Sequence, residues 1–361
     1  MKKISISAEH NYEVLIGDLD IANLKPLLNE CTKIALLYPV EISEKVDQIS
    51  AEWNLPVELI MIELPEGESQ KSADVLVEIW NTLSDHNFTR RDWIIGIGGG
   101  ATTDLAGFAA ASWLRGVNWV SVPTTVAGMV DAAIGGKTGI NIPAGKNLVG
   151  AFHSPRLVFV DPNFLETLPI DELRSGLAEV IKCGFIADEQ ILKIFEVDPK
   201  KLLEWNSTEL LEVIQRSIQV KADVVSADLK ESSLREILNY GHTLAHAIEA
   251  LEDFTWRHGD AVSVGMVFAS ELALQVGYCD QKLVDRHRAI LKSVGLPTSY
   301  KDSVLPELIE RMGRDKKVRG GLLRFVLLEQ VEKIKRLEGA SEADLTIAYE
   351  KISSRSNMER I

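Results

Sequence analysis

Three of the chain's seven histidines lie within one stretch, Asn239–Asp260. His242 and His246 are four residues apart in a segment of helical periodicity, so both imidazoles lie on one helix face. His258 follows a short aromatic loop, just before a second helical run. Neutral imidazole is the commonest zinc ligand, and a catalytic zinc usually takes three protein ligands and leaves one position open. The stretch therefore predicts a catalytic metal site.

The third ligand should be a carboxylate. The best upstream candidate is Glu179, which lies in an otherwise apolar helix, where an unpaired charge would be costly. Spacing leaves open which two histidines bind the metal. His242 and His246 would also suit as the pair of ligands, and His258 would then have no role in the site. A lone helical histidine is more often a surface residue or a cap, so the hypothesis rests on the cluster.

A glycine-rich turn predicts a second site. Gly98, Gly99 and Gly100 follow an apolar strand and open a helix, whose free N–H groups suit a pyrophosphate. Asp104 would bond the cofactor or cap the helix. The strand is not the first of the chain, unlike in the usual dinucleotide fingerprint, and a structural tight turn is the alternative. The order of strand, turn and helix favours a dinucleotide.

Two loops carry further candidates. The stretch that follows the next strand is rich in glycine, and its two lysines suit an anionic ligand. Its candidate polar residues are Thr124, Thr125, Asp131, Lys137, Lys146 and Asn147. Upstream, Glu68 would accept from ribose hydroxyls and Lys71 would reach a phosphate, although the same loop also reads as a helix cap.

Composition restricts the class of protein. A chain of 361 residues favours two domains. A net charge of −14 argues against nucleic acid or an anionic membrane as the main partner. An anionic substrate then requires a local cluster of Lys and Arg. Cys31, Cys183 and Cys279 form no paired motif and are interpreted as reduced. Without an evident signal peptide or transmembrane run, the expected location is the cytoplasm.

The first half alternates strand and helix, which predicts a parallel sheet with helices on both faces and ligands at the carboxyl ends of its strands. The predicted strands are Lys33–Tyr38, Val57–Leu64, Trp93–Ile97, Trp119–Val122 and Leu157–Val160. The predicted helices between them are Glu41–Trp53, Ala73–Leu83 and Thr103–Leu114.

From Ile170 onward the periodicity is helical. The predicted helices are Glu172–Ile186, Thr208–Ala227, Leu234–Leu251, Ala261–Val276, Lys282–Val294 and Glu342–Ile352, with a late strand or hairpin at Gly320–Leu328. The fold class is thus an α/β N-terminal domain with a Rossmann-like sheet and an all-α C-terminal domain. We place a nucleotide-binding domain at residues 1–165 and a helical metal- and substrate-binding domain at 166–361.

These motifs occur in one order that resembles the 3-dehydroquinate synthase family. The resemblance extends from about Pro65 to Phe325. It includes G-G-G-x-x-x-D-L-x-G-F, V-D-x-x-I-G-G-K-T-G-I-N, G-K-N-L-V-G-A-F, G-L-A-E-V-I-K, L-R-E-I-L-N-Y-G-H-T-x-x-H-A-I-E and D-K-K. It implies catalytic NAD, Zn²⁺ or Co²⁺, and usually a homodimer. The implied substrate is 3-deoxy-D-arabino-heptulosonate 7-phosphate, which is converted to 3-dehydroquinate and phosphate through transient oxidation, elimination, re-reduction, ring opening and aldol closure.

Residue by residue, the resemblance implies Glu179, His242 and His258 as metal ligands. His246 then becomes a substrate residue near the phosphate. Arg115 would be supplied either within the chain or by the partner subunit. The implied substrate and catalytic residues are Asp131, Lys137, Lys182, Lys221, Glu231, Arg235, Asn239, His246, Asn147, Arg115, Lys316 and Lys317. The implied cofactor residues are Gly67, Glu68, Lys71, Gly98, Gly99, Gly100, Asp104, Thr124, Thr125, Lys137, Lys146, Phe164 and Thr167.

The chain departs from the family pattern in two places. After the first strand the family often has Thr-Asp, whose Asp reaches the adenosine ribose, whereas this chain has Tyr38-Pro39. Glu68 is expected to carry more of that role. Asn141-Ile142-Pro143 replaces Asn-His-Pro, with no expected mechanistic effect.

Three other functions are weighed against this one. A related sugar-phosphate cyclase would share the metal, NAD and phosphate residues, but Arg235 and Asn239 favour a substrate that carries a carboxylate. A metal-dependent alcohol or glycerol dehydrogenase would not need Lys137, Lys146, Arg115 and the D-K-K lysines. A non-catalytic sensor of NAD or metal would not be expected to keep the whole ligand set.

Overall fold

The computed structural model describes residues 1–28, 30–229, 234–314 and 322–354. The chain divides into two compact units. Unit 1 comprises Met1–Leu168 with Lys221–Leu229, and unit 2 comprises Pro169–Val220 with Lys230–Ile361.

Unit 1 is built on a seven-stranded sheet. Its strands are β1 (Lys2–Ser7), β2 (Asn11–Ile16), β3 (Lys33–Pro39), β4 (Glu58–Leu64), β5 (Trp93–Gly98), β6 (Asn118–Pro123) and β9 (Leu157–Val160). Their order across the sheet is β1-β2-β9-β6-β5-β3-β4. Only β1 and β2 pair antiparallel, and the other neighbours are parallel. The five predicted strands are all present. The first hairpin was missed, although β2 contains the buried apolar run Val14–Ile16.

Helices cover both faces of this sheet, as predicted. They are α1 (Ser43–Glu52), α2 (Ala73–Asp85) and α3 (Gly100–Ser112). Ile34 and Leu36 of β3 face a core that includes Val46 of α1. Ala35 and Leu37, on the opposite face, join the core formed with α2 and α3. Alternate residues of a strand point to opposite faces, so continuous burial of β3 requires two covering layers.

The segment after β6 was predicted as a long loop, and this was wrong. It contains a π-helical turn, Gly128–Ala132, followed by an antiparallel hairpin of β7 (Lys137–Ile142) and β8 (Gly145–Phe152). The glycines misled the prediction. Gly139 and Gly150 lie inside the hairpin, and a Cβ on Gly150 would approach the Thr138 carbonyl oxygen to 2.1 Å. Here glycine permits close strand approach and does not indicate a loop.

Unit 2 is mainly helical. Its helices are α4 (Ile170–Ile186), α5 (Glu189–Val197), α6 (Thr208–Ala227), α7 (His242–Leu251), α8 (His258–Gln275), α9 (Gln281–Ser293), α10 (Leu305–Arg314) and α11 (Glu342–Glu350). The end of α6, from Lys221, belongs to unit 1. The short strands β10 (Tyr300–Lys301) and β13 (Ser353–Ser354) pair in parallel, while β11 (Arg324–Gln330) and β12 (Lys333–Glu338) form a hairpin. In the described residues, no helix combines the length and apolarity needed to cross a membrane.

One predicted helix, Leu234–Leu251, is wrong as a continuous element. A 3₁₀ turn covers Leu234–Asn239, and α7 begins only at His242. Gly241 separates them with φ +81°, a left-handed conformation that glycine adopts without steric cost. The apolar spacing continues across this break, so periodicity alone could not detect it.

Candidate active site

Three elements of unit 2 bring a carboxylate and two imidazoles together. Glu179 lies in α4, His242 is the first residue of α7, and His258 is the first residue of α8. One potential ligand atom from each lies within 4.8 Å of the others. The Oε1 atom of Glu179 is 3.4 Å from Nε2 of His242 and 3.2 Å from Nε2 of His258. These three are the metal ligands that the resemblance implies.

Glu179 is almost fully buried and stays ionised. Its neighbour one turn later, Lys182, is also buried and forms an ion pair with Oε2 of Glu179. Burial alone would raise the pKa of the Glu179 carboxyl. The charge of Lys182 and the imidazoles of His242 and His258 outweigh burial, and the pKa lies well below its usual range. A buried anion is therefore available as a ligand.

The acceptors that lie beside Nδ1 of His242 and His258 determine which ring nitrogen of each faces Glu179. Nδ1 of His242 lies 3.2 Å from the carbonyl oxygen of Tyr240, and Nδ1 of His258 lies 3.3 Å from Oε2 of Glu249. A carbonyl or carboxylate oxygen only accepts, so each Nδ1 carries hydrogen and each Nε2 is the ring nitrogen that faces Glu179. Without a metal, Nε2 of His258 also carries hydrogen, which it donates to the carboxylate of Glu179. Two imidazoles and one carboxylate with outer hydrogen-bond acceptors match the donor set of a catalytic zinc site.

Proton binding competes with a metal at this site. Burial alone would lower the pKa of His258, but hydrogen bonds to Glu179 and Glu249 raise it to about 10. Burial and the nearby Lys182 lower the pKa of His242. A metal ion held by these residues would take the place of the proton on His258.

The remaining described candidates of unit 2 differ in exposure. His246 is exposed, and its ring centroid lies 5.3 Å from that of His242. Arg235 is only 2% exposed, and Asn239 is half-buried at the end of the same 3₁₀ turn. Glu231, Lys316 and Lys317 lie outside the described residues.

In unit 1 the glycine turn lies between β5 and α3. Gly99 is the N-cap residue of α3, so the first N–H groups of the helix point out of this turn. The N–H of Thr124 donates to the carbonyl of Gly98, which ties the end of β6 to the turn. A Cβ on Gly99 would lie 3.3 Å from Cγ2 of Thr125, so the backbone is closely covered on that side.

A buried lysine connects helix α3 with strand β8 beside this turn. Lys71 is 3% exposed, and its Nζ lies 2.6 Å from Oδ2 of Asp104 and also donates to Oδ1 of Asn147. Oε1 of Glu68 lies 3.7 Å from Nζ of Lys71 and 3.9 Å from Nζ of Lys146. Burial raises the pKa of Asp104, although Lys71 partly offsets it. The structure thus gathers five residues predicted for the cofactor or substrate.

Asp131 and Lys221 form a second polar contact in unit 1. Lys221 is buried, and its Nζ donates to both the carboxylate and the backbone carbonyl of Asp131. The carboxylate belongs to the π-helical turn Gly128–Ala132, an element that is frequent at functional sites. Lys137 is exposed at the start of β7.

The other candidates of unit 1 are dispersed. Leu114 and Arg115 have φ values of +48° and +68°, a strained conformation that presents the exposed Arg115. Gly67 has φ +59° and is exposed. Phe164 is 3% exposed in the hydrophobic core, and Thr167 is exposed at the end of the same turn.

Sequence reasoning missed three contributors. Glu249 follows His242 by seven residues on the same helix face, and this spacing was a usable signal. Nothing in the sequence indicates that the backbone carbonyl of Tyr240 would lie beside Nδ1 of His242. Asn141 was given no role of its own, yet its side-chain amide donates to Glu68 at 2.7 Å and its side-chain oxygen accepts from the Asn147 N–H at 3.0 Å.

Comparison with known proteins covers nearly the whole chain. A family model described as 3-dehydroquinate synthase N-terminal matches residues 61–175, and one described as 3-dehydroquinate synthase C-terminal matches residues 176–318. The chain is 51% identical to a 3-dehydroquinate synthase of Corynebacterium efficiens, over 97% of this chain and 98% of that protein. It is 52% identical to a 3-dehydroquinate synthase of Streptomyces avermitilis, over 94% of each.

A solved structure has a similar fold. The 2-epi-5-epi-valiolone synthase of Streptomyces hygroscopicus subsp. jinggangensis, with NAD⁺ and Zn²⁺ bound, superposes with a TM-score of 0.88. It is 25% identical and covers 97% of this chain and 99% of its own.

Proposed function

Because the chain belongs to the 3-dehydroquinate synthase family, we propose that it converts 3-deoxy-D-arabino-heptulosonate 7-phosphate into 3-dehydroquinate and inorganic phosphate. This is a carbon–oxygen lyase reaction within the shikimate pathway of aromatic amino acid biosynthesis. Its stages are transient oxidation of a ring hydroxyl, phosphate elimination, re-reduction, ring opening and aldol closure. The observation that carries the proposal is the group of Glu179, His242 and His258 within 4.8 Å, in a chain that matches the family over nearly its whole length.

Glu179, His242 and His258 would hold Zn²⁺ or Co²⁺. The bound metal would orient substrate hydroxyls and lower the pKa of the one to be oxidised. The chain prepares the site by keeping Glu179 ionised through Lys182 and by fixing the Nδ1 hydrogens of both histidines.

Unit 1 would hold NAD. The cofactor would accept a hydride from the substrate and return it in the same turnover, so it is not consumed. The N-terminus of α3 after Gly99 suits the pyrophosphate, and the network of Lys71, Asp104 and Glu68 supplies charged groups beside it. The proposal also includes contacts of NAD with Gly67, Phe164 and Thr167, which the family resemblance implies.

The substrate carries a phosphate and a carboxylate, so it needs several fixed cations in an acidic chain. We assign Lys182 and the buried Arg235 to its carboxylate and hydroxyl end, with Asn239 beside them. His246, Lys137 and Asn147 would hold the phosphate end, and Asp131, held by Lys221, would face the reacting carbon. Lys316, Lys317 and Glu231 are assigned by family position alone.

The proposal includes a cytoplasmic homodimer. Leu148 is 62% exposed and Phe152 is 40% exposed, both on the hairpin strand β8, an apolar surface that a second copy would cover. The strained Arg115 segment is the candidate for a residue shared across subunits. Cys31 and Cys183 are buried free thiols, which suits a reducing compartment. Light scattering that gives a mass near the monomer's 40.0 kDa would refute the dimer.

The test follows two signals at once. Purified protein is mixed with NAD, Zn²⁺ and the heptulosonate phosphate, and both released phosphate and reduced nicotinamide are recorded. We expect many turnovers of phosphate release without net reduced cofactor, and loss of activity after treatment with a chelator. K137A should lose most turnover, whereas K193A, a 54%-exposed lysine in an ion pair with Glu189, should not.

Other outcomes point to other enzymes. Phosphate release with a hexose phosphate only would indicate a related cyclase. Reduced cofactor that accumulates in step with product would indicate a dehydrogenase, and the phosphate roles of Lys137 and Arg115 would be withdrawn. Full turnover by K137A would contradict the site assignment but not the reaction.

A further inference from the structure

We propose that Glu249 is a positioning residue of the metal site, which holds the imidazole of His258 in its ligating orientation. The inference rests on the metal site of the proposed function and adds a fourth side chain to it. Glu249 was not among the residues predicted from sequence, and it would not itself bind the metal.

Helix geometry places Glu249 where this contact is possible. His242, His246 and Glu249 occupy positions i, i+4 and i+7 of α7, which lie on one face. Glu249 is only 5% exposed, and a carboxylate is buried at a cost unless it has a partner. Its Oε2 lies 3.3 Å from Nδ1 of His258. The charge is therefore kept inside the protein at the back of a metal ligand.

The contact determines which nitrogen of His258 faces the metal site. A carboxylate accepts, so Nδ1 of His258 donates to Glu249, and Nε2, 3.2 Å from Oε1 of Glu179, is the nitrogen whose proton a metal would replace. The carbonyl of Tyr240 has the same effect on His242. Of these two acceptors, only Glu249 is a side chain that mutation can remove.

His258 needs this support more than His242 does. The side chain of His258 is 38% exposed, compared with 10% for His242. His258 is also the first residue of α8, after a loop in which Asp253 and Phe254 both have left-handed φ values. A partly exposed ligand at the end of a loop has rotational freedom that a buried hydrogen bond removes.

Charge gives a second reason for a carboxylate. The cation of Lys182 is buried next to the anion of Glu179, so the charge of this ligand is already neutralised before a metal binds. A divalent ion would then add two positive charges in surroundings where water screens weakly. The anion of Glu249 would partly offset them, which a neutral acceptor would not do.

The test measures zinc affinity in the full-length protein by competition with a chromogenic chelator. E249A should weaken zinc binding by about 10- to 100-fold, the usual effect of removing an outer hydrogen-bond partner of a ligand. E249Q keeps an acceptor oxygen but no charge, so it should weaken binding by about 3- to 10-fold, since charge-assisted hydrogen bonds are the stronger ones. The visible absorption of the Co²⁺-loaded protein should change in E249A and be retained in E249Q.

The control is E271Q, which neutralises another buried glutamate of unit 2. Glu271 is 7% exposed and pairs with Arg288 at 2.6 Å, so its loss tests general destabilisation. It should leave zinc affinity unchanged. A dissociation constant of E249A within twofold of the parent's would overturn the positioning role, as would an equal loss in E271Q. If E249A does not fold, E249Q replaces it in the test, and a zinc dissociation constant of E249Q within twofold of the parent's would overturn the positioning role. A parent that binds no zinc would instead refute the metal site itself.

Discussion

At the scale of residues, unit 2 buries ionisable groups in two ways. Glu179 and Lys182 are both buried and form a charged pair. His287 is buried as a neutral ring, stacked on Phe185 at 3.5 Å between centroids. Its Nδ1 donates to the carbonyl of Leu283 at 2.7 Å, so its Nε2 accepts from the hydroxyl of Tyr240 at 2.8 Å. Since Nδ1 already carries the ring's proton and Nε2 accepts a hydrogen bond, His287 cannot take up a second proton without losing the bond from Tyr240.

A pH dependence of stability follows from His287. Burial lowers its pKa to about 3 in the folded protein, from 6.5 in the unfolded chain. Between these values only the unfolded state binds the proton, so the free energy of unfolding falls as pH decreases from 6.5 toward 3. One proton corresponds to about 1.4 kcal/mol per pH unit, so about 2 kcal/mol is lost between pH 6.5 and pH 5.

The measurement compares the parent with H287Q in urea, both zinc-free, from pH 7.5 to pH 5. H287Q should be less stable at pH 7.5, and the difference from the parent should shrink by about 2 kcal/mol at pH 5. Other titrating groups cancel in this difference. A difference that stays constant across the range would show that His287 does not titrate as expected.

At the scale of elements, the break before α7 decides where its histidines lie. Gly241 has φ +81°, and a Cβ there would lie 2.9 Å from both N and Cγ of Met266 in α8. A side chain at this position would force apart the two helices that carry His242 and His258. Position 241 therefore combines a conformational and a packing requirement.

G241A should lose about 2 to 4 kcal/mol of unfolding free energy, from a left-handed alanine and from overpacking. G277A is the matched control, because Gly277 has φ +75° and no atom within 4 Å of its Cβ position. It should lose only the conformational part, about 1 to 2 kcal/mol. Urea midpoints of the zinc-free proteins measure both. Equal losses would show that the α7–α8 contact adds no packing requirement at this position.

At the scale of the whole molecule, the proposed cofactor and metal contacts divide between the two units. The cofactor network around Lys71 lies in unit 1, and the group of Glu179, His242 and His258 lies in unit 2. A ligand that binds the folded state protects the elements it contacts from local opening.

Hydrogen exchange should therefore respond differently to the two ligands. Zinc alone should slow exchange in peptides that begin α7 and α8, and NAD alone should slow exchange in peptides that span the glycine turn and Lys71. Mass spectrometry of peptides from the full chain, with each ligand added separately, measures this. Protection by NAD confined to unit 2 would refute the assignment of the cofactor to unit 1.

Local patterns determined much of this protein. Continuous apolar runs with helices between them predicted five parallel strands, because a strand buried on both faces needs no alternation. The H-x₃-H pair and a charge in an apolar helix indicated a metal site, because these features depend only on neighbours within one element. The order of the motifs then indicated the family.

Only the tertiary structure decided how separate elements meet. Spacing left the histidine pair open, and only the family resemblance implied His258. The approach of α8 to α4 and α7 brings His258, not His246, into the group with Glu179. Apolar periodicity continued through the left-handed Gly241, and glycines that permit close strand pairing in β7 and β8 were mistaken for a loop. The spacing of Glu249 placed it on the helix face of His242, but its partner His258, nine residues away on another helix, was found only in the tertiary structure. Such contacts depend on how separate elements pack, so they cannot be predicted from the sequence of any single element.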